Sequence, residues 1–162
     1  MMSVAPVASA GEAAGYYSNS DNYYFLGSLQ SLWMGEGAKE LGLEGNVRGD
    51  DLTAVLEGRL PDGSRLGKEV NGQHVHRPGH DLTFSAPKSV SILALIGNDK
   101  EMVEAHNHAV RVAAGYVEKL ISARDTKDGV TSIVHTGKMV AAAYTHDTSR
   151  NLDPQLHTHL LI

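Results

Sequence analysis

The sequence predicts an α+β fold, because helical and strand-like segments follow one another without the regular βαβ rhythm of a parallel sheet. With 162 residues, 41% of them hydrophobic, the chain is long enough for one domain with its own core. It has no cysteine, which excludes disulfides and thiolate-bound zinc. No signal peptide is evident, and no apolar run approaches the ~20 residues that cross a bilayer. We expect a cytoplasmic protein without membrane insertion.

The first half of the chain is predicted to form short helices joined by turns. Ser9 and Glu12 have the spacing of a capping box, which predicts a helix over residues 10–17. The other predictions in this half are short helices over 38–41 and 51–56 and a polar loop over 64–80.

The second half contains the strands. Alternation over residues 81–86 predicts a half-buried strand with Asp81 on one face and Leu82 on the other. The later predictions are a helix over 87–96, a long helix capped near Asn98 with an apolar stripe from Met102 to Ile121, and strands over 130–135, 138–147 and 155–162.

Three histidines have the spacing of a metal site on a β-hairpin. His157 and His159 are two positions apart in a predicted strand and share a face, while His146 ends the preceding β-prone run. If these runs pair, His146 lies opposite His157, and three imidazoles can converge on one ion. A solvated polar face is the alternative. Of the other histidines, His106 is expected in the core, His108 and His135 at the surface, and His74, His76 and His80 form a weaker candidate cluster.

Four of the six tyrosines lie within nine residues, as the pairs Tyr16–Tyr17 and Tyr23–Tyr24. Phenols serve as nucleophiles in covalent catalysis, although a free pKa near 10 means that one must be activated. The alternative is that these rings pack a helix end and a following strand.

The charge balance does not indicate a basic nucleic-acid-binding surface. The formal net charge is −5, whereas phosphate binding usually accompanies a basic excess. Two cations are nevertheless candidates for DNA phosphates. Arg150 lies in the turn between the histidine strands, and Lys88 in the first turn of a predicted helix. Both are equally compatible with a solvated surface.

Three segments together resemble the MobF-type conjugative relaxases. They are the two tyrosine pairs, the segment HDLTFSAPKSVS at residues 80–91, and the run from HDTSR at 146–150 to DPQLHTH at 153–159. The resemblance covers the whole chain in order. It implies a central antiparallel sheet flanked by helices, the HUH-type fold shared with rolling-circle replication initiators. It also implies nicking of one DNA strand at a plasmid transfer origin through a 5′-phosphotyrosine intermediate.

The resemblance also implies roles for individual residues. Tyr16 is the expected first nucleophile, and Asp81 is expected to orient a ligand histidine or to act as a base towards Tyr16. The expected metal ligands are His146, His157 and His159, holding Mg²⁺ or Mn²⁺. Tyr17, Tyr23 and Tyr24 are expected to be supporting tyrosines, with Tyr23 or Tyr24 available for a second strand transfer. Expected partners are single-stranded transfer-origin DNA, the relaxosome and type IV secretion components.

Relaxase domains of this family are longer than this chain. We therefore expect residues 1–162 to be the N-terminal portion of such a domain, without the helicase region of full-length relatives. The residues leave three other readings open: a rolling-circle replication initiator, a metal-dependent oxygenase or hydrolase, and a non-catalytic DNA-binding fragment.

Overall fold

A computed structural model describes residues 1–18 and 30–162. The helices in these ranges are α1 Ala10–Ser18, α2 Glu36–Glu40, α3 Gly49–Leu56, α4 Lys88–Leu95 and α5 Lys100–Glu118. The strands there are β1 Met2–Pro6, β2 Gln30–Met34, β3 Lys68–Val70, β4 Gln73–Val75, β5 His80–Ser85, β6 Ser122–Lys127, β7 Val130–His135, β8 Ala141–Thr148 and β9 Pro154–Leu161. None of the helices in the described ranges is long and apolar enough to cross a membrane.

Five strands form a central antiparallel sheet in the order β1-β5-β9-β8-β2. The predicted α+β fold with a central antiparallel sheet is therefore confirmed. The strands β8 and β9 lie inside this sheet, each with a neighbour on both sides. The residues that they carry are consequently held by hydrogen bonding on both edges, which gives a rigid base for a site.

Each face of the sheet has its own core. Residues of α1 and α3, including Ala14 and Leu52, pack with Tyr144 and Leu161 on one face. Ala114 of α5 packs on the other face with Leu160, among others. Because side chains alternate along a strand, the histidines of β8 and β9 share the face of Tyr144 and Leu161. The site is therefore on the side of the sheet that α1 covers.

Several strands were not predicted. Both edge strands, β1 and β2, are short and are fixed by pairing with residues far along the chain, so they carry little local periodicity. The prediction of a loop over 64–80 was wrong, because β3 and β4 form a hairpin there. Its turn, Asn71-Gly72, has positive φ at both residues and is the dipeptide that favours a tight hairpin.

The start of α5 also corrects the prediction. Asp99, not Asn98, is the N-cap, and its side chain accepts hydrogen bonds from the backbone N–H groups of Glu101 and Met102. Asn98 has a φ of 53° and precedes the cap in a left-handed conformation. His106 lies in the core as predicted, whereas Leu120, placed at the end of the predicted stripe, lies beyond the helix and is 72% exposed.

Leu160 connects the sheet to the core under α5, and its side chain is fully buried. We expect Leu160→Ala to lower the free energy of unfolding by about 2–5 kcal/mol, because it removes buried methyl groups and leaves a cavity. The exposed Leu120→Ala is the matched control and should change stability by less than about 0.5 kcal/mol. Urea unfolding of both variants measures the difference, and equal midpoints would contradict this account of the core.

Candidate active site

Three histidine rings meet on the α1 side of the β8–β9 hairpin. His146 and His157 are opposed in the strand register, and His159 follows two residues later on the same face. The ring centroids are 5.0–5.4 Å apart, and ligand nitrogens of the three lie within 4.8 Å of one another. All three side chains are buried. The hairpin arrangement predicted from the spacing is therefore confirmed.

The rings are oriented by acceptors behind them. The Nδ1 atom of His159 lies 2.8 Å from Oδ2 of Asp81, and Nδ1 of His157 lies 2.9 Å from the backbone oxygen of Gln155. A neutral imidazole that donates from Nδ1 keeps the lone pair on Nε2. Ligand histidines commonly donate their other N–H to a carboxylate or carbonyl in this way. Three imidazole nitrogens are a donor set that fits a divalent transition-metal ion.

Burial favours the neutral form of two of the three histidines. Burial, followed by the neighbouring imidazoles of His159 and His157, lowers the pKa of His146 from 6.5 to about 3. Burial also lowers the pKa of His157. For Asp81, burial acts to raise the pKa, but hydrogen bonds from His159 and Tyr17 outweigh it and the pKa is lowered. At neutral pH the cluster thus combines the neutral imidazoles of His146 and His157 with the charged carboxylate of Asp81.

The two tyrosines of α1 differ in environment. Tyr16 is 53% exposed, whereas Tyr17 is 8% exposed and donates its hydroxyl to Asp81 Oδ2 at 2.7 Å. Burial, together with the hydrogen bond to Asp81 and its charge, raises the pKa of Tyr17. The Tyr17 ring lies 5.0 Å from the ring of His159 and 5.0 Å from that of Tyr16, edge to face. Tyr16 therefore has the accessible phenol of the pair.

Tyr16, His157 and His159 share an open cleft of about 370 Å³. A second cleft of about 410 Å³ brings Tyr16 together with Asp81, and Arg150 lines both clefts. The residues that line the first cleft are Tyr16, Thr83, Thr148, Ser149, Arg150, Asn151, Gln155, His157 and His159. A phenol, two imidazoles of the ligand cluster and a guanidinium thus line one solvent-accessible space.

Other candidates lie elsewhere. Lys88 donates its ammonium to the backbone oxygen of Pro154 at 3.0 Å, at the start of β9, and its role in DNA binding stays a prediction. Tyr23 and Tyr24 lie outside the described residues. His106 contacts Thr158 on the opposite face of the sheet, and His108 and His135 are exposed, as predicted.

In the part of the chain that the structure describes, the β8–β9 histidines are the one group of three or more potential ligands close enough for a metal ion. The weaker candidate cluster of His74, His76 and His80 is therefore not assembled.

Two contacts were missed by sequence reasoning. Thr83 Oγ1 lies 3.2 Å from His159 Nδ1, and Gln155 supplies the carbonyl behind His157. The period-2 pattern of β5 places Thr83 on the face of Asp81, so that contact was within reach of the sequence. The Gln155 contact is a backbone interaction and has no residue-type signal.

The antiparallel sheet and its histidine hairpin place this protein in the HUH fold class. Its architecture matches that of relaxases with this fold. The chain belongs to the TrwC relaxase family, whose model matches residues 10–162. It is 54% identical over 162 residues to the multifunctional conjugation protein TraI of Escherichia coli strain K12. All of this chain is covered in that match, but only 9% of TraI.

Solved relaxase structures agree with this assignment. The metal-bound structure of the conjugative relaxase TrwC with oriT DNA matches with a TM-score of 0.86 and 40% identity, covering 100% of this chain and 56% of that one. TrwC with a 27-mer DNA comprising the recognition hairpin and the cleavage site matches with a TM-score of 0.84 and 38% identity, covering 100% and 55%. The chain thus spans little more than half of each of these solved TrwC chains.

Proposed function

We propose that this chain is the N-terminal portion of a relaxase domain that nicks single-stranded DNA at a plasmid transfer origin. The observation that carries the proposal is the shared cleft of Tyr16, His157 and His159, which puts an accessible phenol beside a metal-ligand cluster. The relatives support the choice of DNA, because TrwC is solved with oriT DNA and TraI is a conjugation protein. They favour conjugative transfer over replication initiation.

His146, His157 and His159 would hold the metal ion, which we propose to be Mg²⁺ or Mn²⁺ in the cell. Three neutral imidazoles leave a divalent ion its full charge, and when bound it supplies Lewis acidity and a template for phosphoryl oxygens. The metal-bound structure of the relaxase TrwC supports the use of a metal ion. Histidine sites bind Mn²⁺ more tightly than Mg²⁺. Mg²⁺ would therefore occupy the site only where its cellular concentration is much the higher of the two.

In the proposed reaction the Tyr16 oxygen attacks the scissile phosphorus. A bond forms between this oxygen and phosphorus, and the bond from phosphorus to the 3′ oxygen breaks. The phenolic proton passes to solvent, and the 3′ oxygen leaves with its electron pair and takes up a proton from water. A phosphodiester is retained as the 5′-phosphotyrosine, so resealing needs no nucleotide cofactor. Asp81 is already bonded to His159 and Tyr17, which favours its orienting role over that of a base towards Tyr16.

Arg150 is the proposed phosphate contact, because it lines both clefts beside Tyr16. A guanidinium presents several donors that match phosphate geometry. With a net charge of −5, the chain offers little further cationic surface, so we propose that segments beyond these 162 residues supply more of the DNA contacts. A cytoplasmic location and association with relaxosome and type IV secretion components follow from the same proposal.

A covalent-adduct assay tests the proposed function. The protein is incubated with Mn²⁺ or Mg²⁺ and single-stranded transfer-origin oligonucleotides, beginning with that of the E. coli TraI system, and run on a denaturing gel. We expect a protein–DNA band that chelation of the metal prevents. An adduct seen only when the chain is extended to the length of the TrwC relaxases would show that further residues are needed. No adduct from either form would contradict the proposal and favour a non-catalytic DNA-binding role.

A further inference from the structure

Tyr16 and Tyr17 are neighbours in α1 but face different surroundings. Successive residues of a helix point about 100° apart, so one ring can face the cleft while the next enters the core. The buried ring of Tyr17 packs in the cluster that contains Ala10, Ala14 and Tyr144. A phenylalanine would fill this space equally well. The hydroxyl of Tyr17 therefore calls for a separate explanation.

That hydroxyl is hydrogen-bonded to the same carboxylate oxygen that contacts His159. Asp81 Oδ2 accepts from Tyr17 at 2.7 Å and lies 2.8 Å from His159 Nδ1. The other oxygen of Asp81 lies 3.4 Å from Thr83 Oγ1. The exposed fraction of the Asp81 residue is 9%, so water contributes little to its orientation. Hydrogen bonds to an ionised acceptor are stronger than neutral ones, and two of them on one oxygen restrict rotation of the carboxylate.

We propose that Tyr17 is a positioning residue of the metal site, which acts through Asp81 on His159. Its hydroxyl fixes the carboxylate, the carboxylate accepts the Nδ1 proton of His159, and the Nε2 lone pair is left facing the other two histidines. The inference rests on the proposed function, because it assumes that the histidines bind the metal of a nickase. It also gives the two tyrosines different roles, since the hydroxyl of Tyr17 donates to Asp81 and is not directed to substrate.

The ring of Tyr17 also connects the proposed nucleophile, Tyr16, to the ligand cluster. The Tyr17 ring contacts the ring of His159 and, in an edge-to-face arrangement, the ring of Tyr16, each with centroids 5.0 Å apart. One buried side chain thus contacts both the helix residue that would attack DNA and the strand residue that would bind metal. This places α1 at a defined position relative to the hairpin before any substrate is bound.

The first test measures the affinity of the Tyr17→Phe variant for Mn²⁺ by calorimetry, without DNA. Removing an outer partner of a metal ligand typically costs ~10–100-fold, and we expect roughly tenfold for this more remote hydroxyl. In an Asp81→Ala background the same substitution should have no further effect. The matched control is Tyr144→Phe, which removes a phenol oxygen from the same buried cluster. Unchanged affinity in Tyr17→Phe, an equal loss in Tyr144→Phe, or additivity with Asp81→Ala would overturn the proposal.

The second test measures the tautomer of His159 by ¹⁵N NMR in the metal-free protein. We expect the Nδ1–H form in the wild type and a mixture of tautomers in Tyr17→Phe, with thermal unfolding showing that the variant is folded. An unchanged tautomer would overturn the proposal even if packing had altered the affinity. Neither test measures nicking. Absence of a DNA adduct would therefore contradict the proposed function, whereas the positioning role of Tyr17 is decided by the affinity and the tautomer alone.

Discussion

Tyr16→Phe is expected to eliminate the covalent protein–DNA adduct while leaving Mn²⁺ affinity unchanged. The substitution removes the attacking oxygen but keeps the ring that packs edge to face against Tyr17. Loss of a nucleophile is among the largest single-residue effects in catalysis, so we expect a decrease on the order of 10³-fold or more in adduct formation. Denaturing gels with transfer-origin DNA and calorimetry with Mn²⁺ measure the two properties separately.

Tyr116→Phe is the matched control for this experiment. Tyr116 is 66% exposed on α5, whose core-facing residues pack on the opposite face of the sheet from the histidines. The Tyr116→Phe variant should therefore form the adduct at the wild-type level. If Tyr16→Phe still formed a normal adduct, the nucleophile would be another tyrosine, and mapping of the DNA-linked peptide would distinguish Tyr17, Tyr23 and Tyr24.

The metal-ligand cluster was predictable because its determinants are local. His146 and His157 lie 11 positions apart across one turn, and the i, i+2 spacing of His157 and His159 fixes a common face in any regular strand. The same period-2 argument placed Asp81 on the opposite face of β5 from Leu82, as the structure has it. Local periodicity therefore predicted both halves of the site, and the resemblance to the relaxases predicted the contact of Asp81 with a ligand histidine.

The contact between α1 and the site was not predictable in the same way. Tyr17 and Asp81 are 64 residues apart in the chain, and nothing in the adjacent pair Tyr16–Tyr17 shows which ring is buried. That depends on how α1 packs on the sheet. The strand that carries Asp81 is bordered by the edge strand β1, which is fixed by long-range pairing. Such features arise from tertiary packing, which overrides weak local propensity.

His159→Ala is expected to weaken Mn²⁺ binding by more than about 100-fold. The loss of a ligand itself should exceed the ~10–100-fold cost of removing the partner that orients a ligand. The substitution also leaves Asp81 without its histidine, so a buried carboxylate keeps Tyr17 as a hydrogen-bond donor but loses its second strong partner. We therefore expect lower stability as well, by about 1–3 kcal/mol, measured by urea unfolding without metal.

His108→Ala is the matched control, because this histidine is exposed on α5. It should bind Mn²⁺ with the affinity of the wild type. Wild-type affinity in His159→Ala would place the ion elsewhere and leave the histidines of the hairpin as a polar face of the sheet. Loss of metal binding in His159→Ala, combined with an intact site in Tyr16→Phe, would assign metal binding to the β8–β9 hairpin and attack to α1. The two elements would then contribute separable parts of one reaction, joined through Tyr17 and Asp81.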